Sequence, residues 1–312
     1  MNTTLKAAGN RAAGIMLKLV KLFVVLCFCF VIFYPLLFML TQAFRAPKDL
    51  FDPSVVWVPK TFSMEAIKLA FEAMDFGKTA LNTGLLALGC TLLQLVSCSL
   101  AGYGFARFKF PGKSIFFAIC LFSTVVPTQM ISIPAFMELY YFDVMGIGSI
   151  IKLFTGSLPS INNTVWSLVV PALLANGIRG SIYIYIFRQF FRGIPLDLED
   201  AAYIDGAGPM STFARIIIPI AGAPFLVVFI LSTIWYWNDN IVVTLFYGTK
   251  NIMSAALMNI LSKFTLEGSQ YTITEALAIQ QAGAILMILP PLIMYLFLQR
   301  YFVESIDKTG LK

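Results

Sequence analysis

The stretch "EDAAYIDGAGPMSTFARIIIPI", from Glu199 to Ile220, is a charged segment between two long apolar runs. Acidic side chains cluster around its start, near the N-terminal end of a predicted helix, where the helix dipole favours negative charge. Gly206 and Gly208 allow the chain to turn without a Cβ penalty. Pro209 is well suited to begin a second short helix. We predict two short helices at a membrane surface, joined by a glycine turn.

The composition of the chain is that of a membrane protein. Of its 312 residues, 59% are hydrophobic and 12% are charged, and the mean hydropathy is +0.83. Ordinary soluble domains carry about 25% charged residues, so this chain has too few polar side chains to cover a surface in water. Its apolar runs are continuous rather than alternating, which argues against a transmembrane β-barrel. We therefore predict an all-α, polytopic, multi-pass protein of the cell membrane, surrounded by lipid.

Six segments are apolar enough to cross the bilayer, which takes about 20 residues in a helix. The predicted transmembrane helices are Leu19–Ala43, Thr79–Gly104, Ser114–Met137, Thr164–Phe190, Pro219–Tyr236 and Ala276–Arg300. Basic residues concentrate at the N-terminus, between helices 2 and 3, between helices 4 and 5, and in the tail. Because cytoplasmic segments are enriched in Lys and Arg, this bias places both termini, and the short helix between helices 4 and 5, in the cytoplasm.

These predictions describe one membrane domain over residues 1–312, with its core at about residues 79–300. Residues 1–18 form a cytoplasmic N-terminal segment, and residues 301–312 form a cytoplasmic tail. The sequence shows no obvious internal repeat and no separate soluble domain.

The residue types present exclude several kinds of chemistry. The chain has no histidine, which removes the commonest metal ligand and histidine-based catalysis. Five cysteines lie inside apolar runs and are predicted to be small buried hydrophobes: Cys27, Cys29, Cys90, Cys98 and Cys120. The chain also lacks a G-x-x-x-x-G-K-[ST] motif and so cannot bind ATP through a Walker loop. We predict a non-catalytic protein with no metal and no cofactor. The scattered basic residues do not predict a nucleic-acid partner.

The residue spacing within the opening stretch resembles that of the EAA loop of ABC importer permeases. An ATPase subunit binds to that loop. That pattern is an acid followed by two alanines, then Gly, Ile and a hydrophobe-proline pair at fixed intervals. Asp200-Ala201-Ala202, Gly206, Ile216 and Ile218-Pro219 match every interval. Asp replaces the usual Glu, and Ile218 replaces the usual Leu. Chemistry alone also allows an interfacial helix that merely ends a hairpin, but the spacing favours the docking surface.

Other motifs extend the resemblance over most of the chain. They are "AGYGFARFKFPGK" (Ala101–Lys113), "FRQFFRGIPLDLEDAAYIDGAG" (Phe187–Gly208), "WNDN" (Trp237–Asn240) and "QRYFV" (Gln299–Val303). They are similar to the carbohydrate-uptake branch of ABC importer permeases, specifically to the second membrane subunit of the maltose importer. The tail "ESIDKTGLK" (Glu304–Lys312) departs from the family ending, which puts its contact with the ATPase in doubt.

The resemblance implies a permease subunit that forms half of the pathway for a sugar or oligosaccharide. It implies as partners a second similar permease (distinct or a second copy), two ABC ATPase subunits and an extracellular or periplasmic solute-binding protein. The implied ATPase-coupling residues are Glu199, Asp200, Ala201, Ala202, Ile204, Asp205, Gly206, Ala207 and Gly208. Alternative solutes are glycerol phosphate, a polyamine or a peptide. An ion-coupled secondary transporter is disfavoured because the predicted spans contain essentially no Asp or Glu.

Four residues are candidates for the substrate pathway. Arg179 lies nine residues before Arg188, or about 13 Å deeper in a continuous helix. An ionised side chain near the bilayer centre usually faces a cavity or a partner; snorkelling from a shorter helix is the alternative. Asn82, Tyr183 and Asn238 carry groups that hydrogen-bond sugars, although such residues also occur in helix interfaces and interfacial belts.

Overall fold

A computed structural model describes residues 2–54, 57–143, 146–248, 251–266 and 270–310, and these residues are almost entirely helical. The helices are α1 (Asn2–Ala43), α2 (Glu65–Ala73), α3 (Phe76–Arg107), α4 (Lys113–Val125), α5 (Thr128–Tyr140), α6 (Ile147–Thr155), α7 (Trp166–Leu173), α8 (Gly180–Gly193), α9 (Asp197–Ile204), α10 (Pro209–Thr212), α11 (Ile218–Ile220), α12 (Gly222–Asn238), α13 (Val242–Tyr247), α14 (Met253–Thr265) and α15 (Ile273–Gly310). A π-helical turn, Phe213–Ile217, joins α10 to α11. The described residues form no β-sheet and only one isolated bridge, between Arg45 and Phe62.

The chain divides into two compact units, and the first comprises Met1–Ala73 and Ile260–Leu286. Its longest element is α1, whose apolar part, Gly14–Ala43, is almost wholly exposed within the chain. Trp57 packs against the last turns of this helix, with its ring 5.3 Å from that of Tyr34. A helix this apolar requires lipid or another subunit around it. Cys27 and Cys29 lie on this helix, so they are exposed within the chain and not buried as predicted.

The second unit comprises Met74–Asn259 and Met287–Lys312, and α3 runs through its centre. Helices α7, α8 and α12 all pack on α3. One core cluster surrounds Tyr103, Phe187 and Phe213, and another surrounds Cys90 and Tyr236. Cys90 and Cys98 are buried, as predicted, and Cys120 is half-buried.

Three helices are long and apolar enough to cross a membrane by themselves: Gly14–Ala43, Phe76–Arg107 and Ile273–Tyr301. They confirm the predicted helices 1, 2 and 6 as long apolar helices. Two further pairs reach that length only as bent segments. By length and composition the described residues therefore contain three candidate spans, or up to five if each bent pair counts as one.

The prediction of one continuous helix over Ser114–Met137 is wrong. Helix α4 ends at Val125 and α5 begins at Thr128, with a bend of 109° between them. Val126 adopts an extended conformation, with φ −67° and ψ 125°, because the ring of Pro127 disfavours the helical conformation at the preceding residue. The predicted helix 5 also differs: it begins at Gly222 rather than Pro219 and follows an 80° bend.

The prediction of one helix over Thr164–Phe190 is also wrong. Helix α7 ends at Leu173 and α8 begins at Gly180, and two residues between these helices, Ala175 and Arg179, both have φ near +59°. If this segment crosses the bilayer as predicted, the backbone groups freed by the break must be hydrogen-bonded by protein.

Side chains from α3 and α12 satisfy that requirement. Gln94 donates its side-chain amide to the carbonyl of Ile178 at 3.2 Å. The N–H of Ile178 in turn donates to the hydroxyl of Tyr236 at 3.3 Å. Gly177 is required beside them, since an added Cβ would lie 2.4 Å from that hydroxyl. The break is therefore built into the packing of three helices.

Candidate functional site

Helix α9 and the turn after it form a short surface helix, as predicted. The helix runs from Asp197 to Ile204 and has three acidic residues in its first turn. Two of these, Asp197 and Asp200, are exposed, whereas Glu199 is only 3% exposed. The first turn therefore presents two carboxylates outward and turns one into the protein.

The carboxylate of Glu199 forms a buried ion pair within the chain. Its partner is Arg107 in the last turn of α3, and the side chains are 4% and 9% exposed, respectively. Tyr103 donates its hydroxyl to the second carboxylate oxygen at 3.2 Å. Arg107 also donates to the carbonyl of Ile194, just before α9, at 2.7 Å. Removing one partner of such a pair leaves a buried charge, which typically costs about 3–5 kcal/mol.

Two residues expected on the docking surface are thus internal. Glu199 contacts α3, and Ala202 is only 6% exposed. Their burial follows from helical periodicity, because positions three apart lie on the same face. The face left outside consists of Asp200, Ala201, Tyr203, Ile204, Asp205 and Gly206, with Gly208 also exposed and Ala207 half-buried. Within it, Ile204 is 87% exposed, the highest exposure of any large apolar residue in the described part of the chain.

The turn after α9 depends on one of the two glycines. Gly206 has φ +82°, in the left-handed region that favours glycine, whereas Gly208 has φ −81°. The N–H of Ala207 donates to the carbonyl of Ala202 at 2.9 Å, which closes the end of the helix. The expectation of a glycine turn is confirmed for Gly206, while Gly208 serves as the residue before Pro209, which begins α10.

Replacing Gly206 by alanine is expected to destabilise this turn by about 1 kcal/mol, because left-handed backbone is strained with a Cβ. There is open space around the added atom, so the penalty comes from φ alone. Gly208→Ala is the matched control, since it also has open space but an ordinary φ. Proteolysis of the surface loop in purified protein measures the difference. Equal cleavage rates for the two variants would contradict the assignment.

A cavity of about 180 Å³ with both polar and apolar lining lies at the break between α7 and α8. Its lining comes from that break, from the bend between α4 and α5, and from the end of α12. Polar contributors are Ser123, Thr124, Asn176, Arg179, Ser181 and Asp239. The guanidinium of Arg179 stacks over the ring of Trp235, 4.5 Å from its centroid. A cation held against an aromatic face in this way remains able to donate hydrogen bonds into the cavity.

Asp239 is the cavity's carboxylate and caps the next helix. It accepts a hydrogen bond from the N–H of Val243 at 2.9 Å. Burial raises the pKa of Asp239, and the backbone donors at the start of α13 together with the charge of Arg179 oppose that rise. The carboxylate of Asp239 is therefore hydrogen-bonded mainly to backbone N–H groups. Arg179 forms no ion pair among the described residues.

Of the four predicted pathway residues, the structure places only Arg179 in this cavity. It lies at the break and not inside a continuous helix. Asn82 donates to the carbonyl of Asn251 at 2.8 Å, and Asn238 is exposed at the end of α12. Tyr183 is completely buried in the packed core. Sequence reasoning missed Trp235, which lies two residues before the "WNDN" motif, whereas Asp239 is part of that motif.

The helical fold, with its long apolar helices and bent pairs, is that of a membrane protein. Residues 98–308 match the family described as "Binding-protein-dependent transport system inner membrane component", and the chain belongs to that family. It is therefore an inner-membrane permease component, a transport subunit rather than a catalyst.

Similar proteins agree with this family. The arabinooligosaccharides transport system permease protein AraQ of Halalkalibacterium halodurans is 27% identical, covering 91% of this chain and 92% of AraQ. The trehalose transport system permease protein SugB of Mycobacterium tuberculosis is 28% identical over 82% and 84% of the two chains. The sn-glycerol-3-phosphate transport system permease protein UgpE of Yersinia pestis is 24% identical over 85% of each.

A solved structure shows the same fold. It is the crystal structure of a bacterial ABC transporter involved in the import of the acidic polysaccharide alginate, and one of its chains is similar with a TM-score of 0.69. The sequence identity is 16%, and the alignment covers 92% of this chain and 96% of that one. The likeness establishes the fold of an ABC importer permease.

Proposed function

We propose that this chain forms one half of the translocation pathway of an ATP-driven importer for a sugar or oligosaccharide. The observation that carries the proposal is the family match over residues 98–308, together with relatives named for arabinooligosaccharides and trehalose. A second candidate solute is a phosphate ester, which the relative named for sn-glycerol-3-phosphate supports.

The proposed topology has six crossings in one membrane domain over residues 1–312. Three single helices and two bent pairs supply five crossings, and α7 with α8 supplies the remaining one across its break. Both termini, including residues 1–18 and 301–312, would then lie in the cytoplasm with α9. The lysines and arginines near these segments support that orientation.

The proposed partners are a second permease, two ATPase subunits and an external solute-binding protein. The exposed face of α9 presents carboxylates and the apolar side chain of Ile204, a combination suited to docking on a protein surface. Closure of the ATPase pair would move α9 and shift the membrane halves between two arrangements. ATP hydrolysis then belongs to the partner.

Reconstitution with candidate partners tests this function. The permease pair should co-purify with an ATPase, and vesicles containing the complex should hydrolyse ATP faster when a loaded binding protein is added. A neutral oligosaccharide as the load should support uptake, whereas the second candidate requires a phosphate ester. Failure to capture any ATPase, or uptake driven by an ion gradient without ATP, would overturn the proposal.

We further propose that the cavity at the α7–α8 break belongs to the pathway. It combines hydroxyls, an amide, a cation and an exposed tryptophan side chain, the groups that bind hydroxylated solutes. Asn82 and Asn238 remain candidates for contacts outside the cavity. Tyr183 is better placed to stabilise helix packing, because its side chain is inaccessible.

Replacing Arg179 by glutamine is expected to lower uptake about tenfold, since a well-placed charged hydrogen bond contributes about 1.5–3 kcal/mol. Arg179→Lys keeps the charge but loses the planar fork and should retain part of the activity. Arg192→Gln is the matched control, as Arg192 is exposed near the opposite end of α8. Uptake into vesicles, normalised to assembled complex, gives the comparison. Wild-type uptake by Arg179→Gln would remove this residue from the pathway.

A further inference from the structure

The cytoplasmic end of α3 is connected to α9, the proposed coupling helix, by side chains as well as by the chain itself. Along the backbone, α9 is joined to α8 through residues 194–196 and to α10 through the turn at Gly206. Neither connection involves α3. The contacts of Arg107 do, because this one side chain pairs with Glu199 inside α9 and donates to Ile194 in the linker before it.

The burial of this pair separates it from the docking surface. Glu199 and Arg107 are both almost completely enclosed, whereas Asp200, the next residue along, is exposed. A carboxylate that served the ATPase directly would need to reach the surface. Glu199 instead has both oxygens occupied, one by Arg107 and the other by Tyr103. Each charge is compensated by hydrogen bonds of fixed geometry. A shift of α9 relative to α3 therefore costs more free energy at this pair than at an apolar contact.

Aromatic contacts of Tyr103 also fix the end of α3 against its neighbours. The ring of Tyr103 lies 4.8 Å from that of Phe213 in the π-helical turn after α10. It also contacts Phe191 of α8 edge to face, with 6.0 Å between the centroids. Tyr103 therefore joins α3 to the elements on both sides of α9. The coupling helix, its two flanking segments and the end of α3 form one packed body.

We propose that the Arg107–Glu199 pair is a strut that transmits movement of α9 directly to α3. This inference rests on the proposed function, because it concerns how the ATPase stroke reaches the membrane helices. Arg107 and Glu199 are positioning residues that contact neither ATP nor solute. Helix α3 spans Phe76–Arg107 without a break and supplies Gln94, which holds the broken segment beside the cavity. A movement delivered to its cytoplasmic end is thereby passed to the segment that carries Arg179.

The test separates coupling from assembly in the full transporter complex. Arg107→Met removes the charge and keeps much of the side-chain volume, and Glu199→Gln keeps the shape. Both variants should still co-purify with the ATPase, because the exposed face of α9 is unchanged. Uptake per ATP hydrolysed should fall about tenfold in each, which lies within the usual range of coupling between two sites. Lys109→Met is the control, since Lys109 is exposed two residues further on, and it should leave this ratio unchanged.

A chemical rescue distinguishes the strut from a purely structural contact. Arg107→Cys combined with Glu199→Cys, with the five native cysteines replaced, can be bridged by a short bis-maleimide. The unbridged double variant should hydrolyse ATP with poor uptake, and bridging should restore uptake per ATP to within about threefold of the starting protein. The same reagent should not restore coupling in the Arg107→Cys single variant, which offers only one thiol.

The outcomes separate the two proposals. If wild-type protein captures no ATPase, the proposed function fails. If wild-type protein couples normally and Arg107→Met and Glu199→Gln couple equally well, the strut alone is refuted. Loss of ATPase capture by Glu199→Gln would also refute it, because Glu199 would then act at the docking surface. Should Arg107→Met fail to assemble, Glu199→Gln and the bridged double variant decide the question.

Discussion

Replacing Ile204 by aspartate is expected to release the ATPase from the permease. Ile204 protrudes from the end of α9 with 87% of its surface exposed. An apolar residue at the centre of a protein interface typically contributes about 2 kcal/mol or more when truncated, which corresponds to a factor of about 30 in affinity. Aspartate adds the cost of burying a charge. Co-purification of the ATPase with the tagged permease pair measures the loss.

The choice of Ile204 follows from the structure and not from the motif. The alanine pair of the motif suggests Ala202 as the residue to enlarge, but Ala202 is buried against the rest of the chain. A charged substitution there would damage the permease itself and would not report on docking alone. Ile204→Val is the control and should retain the ATPase, because it keeps an apolar side chain on the exposed face. Undiminished capture by a well-folded Ile204→Asp permease would show that α9 is not the docking helix.

Replacing Gly102 by valine is expected to cause a large loss of stability. Gly102 lies on α3 where α8 crosses it, and an added Cβ would be 2.6 Å from the Cβ of Phe187 and 3.1 Å from the backbone nitrogen of Arg188. Neither atom is the free end of a flexible side chain, so the helices must separate. Overpacking of this kind costs about 1–3 kcal/mol, and more where backbone must move.

Gly104→Val provides the matched control, two residues along the same helix. Its nearest neighbour to an added Cβ is the ring of Phe108, at 3.9 Å, which is ordinary contact. Valine has a higher helix propensity than glycine, so this variant should be as stable as the parent or slightly more stable. The temperature at which each variant loses its monodisperse peak in detergent gives the comparison. A Gly102→Val protein as stable as Gly104→Val would mean that α3 and α8 do not approach this closely.

Local chemistry explains which parts of the fold could be predicted. Helices 1, 2 and 6 are long uninterrupted apolar runs, and such runs form helices in a bilayer whatever their neighbours. The surface helix α9 and its turn follow from acids at one end and Gly206 at the other, both of which act within one turn of the helix. The sequence shows Pro127 at the bend between α4 and α5. Prolines also occur in kinked continuous helices, so the 109° bend could not be inferred.

The sequence by itself determined that this chain is a helical membrane permease and that α9 is its surface helix. Hydropathy and residue spacing are local properties, and they do not depend on how the helices pack together. Only the tertiary structure decided that the predicted helix 4 is broken before Gly180, because backbone groups in the break are hydrogen-bonded by Gln94 from α3 and Tyr236 from α12. It likewise decided that Glu199 faces inward, because its partner Arg107 is 92 residues away in the chain. Contacts between residues so distant in sequence arise only when the helices pack.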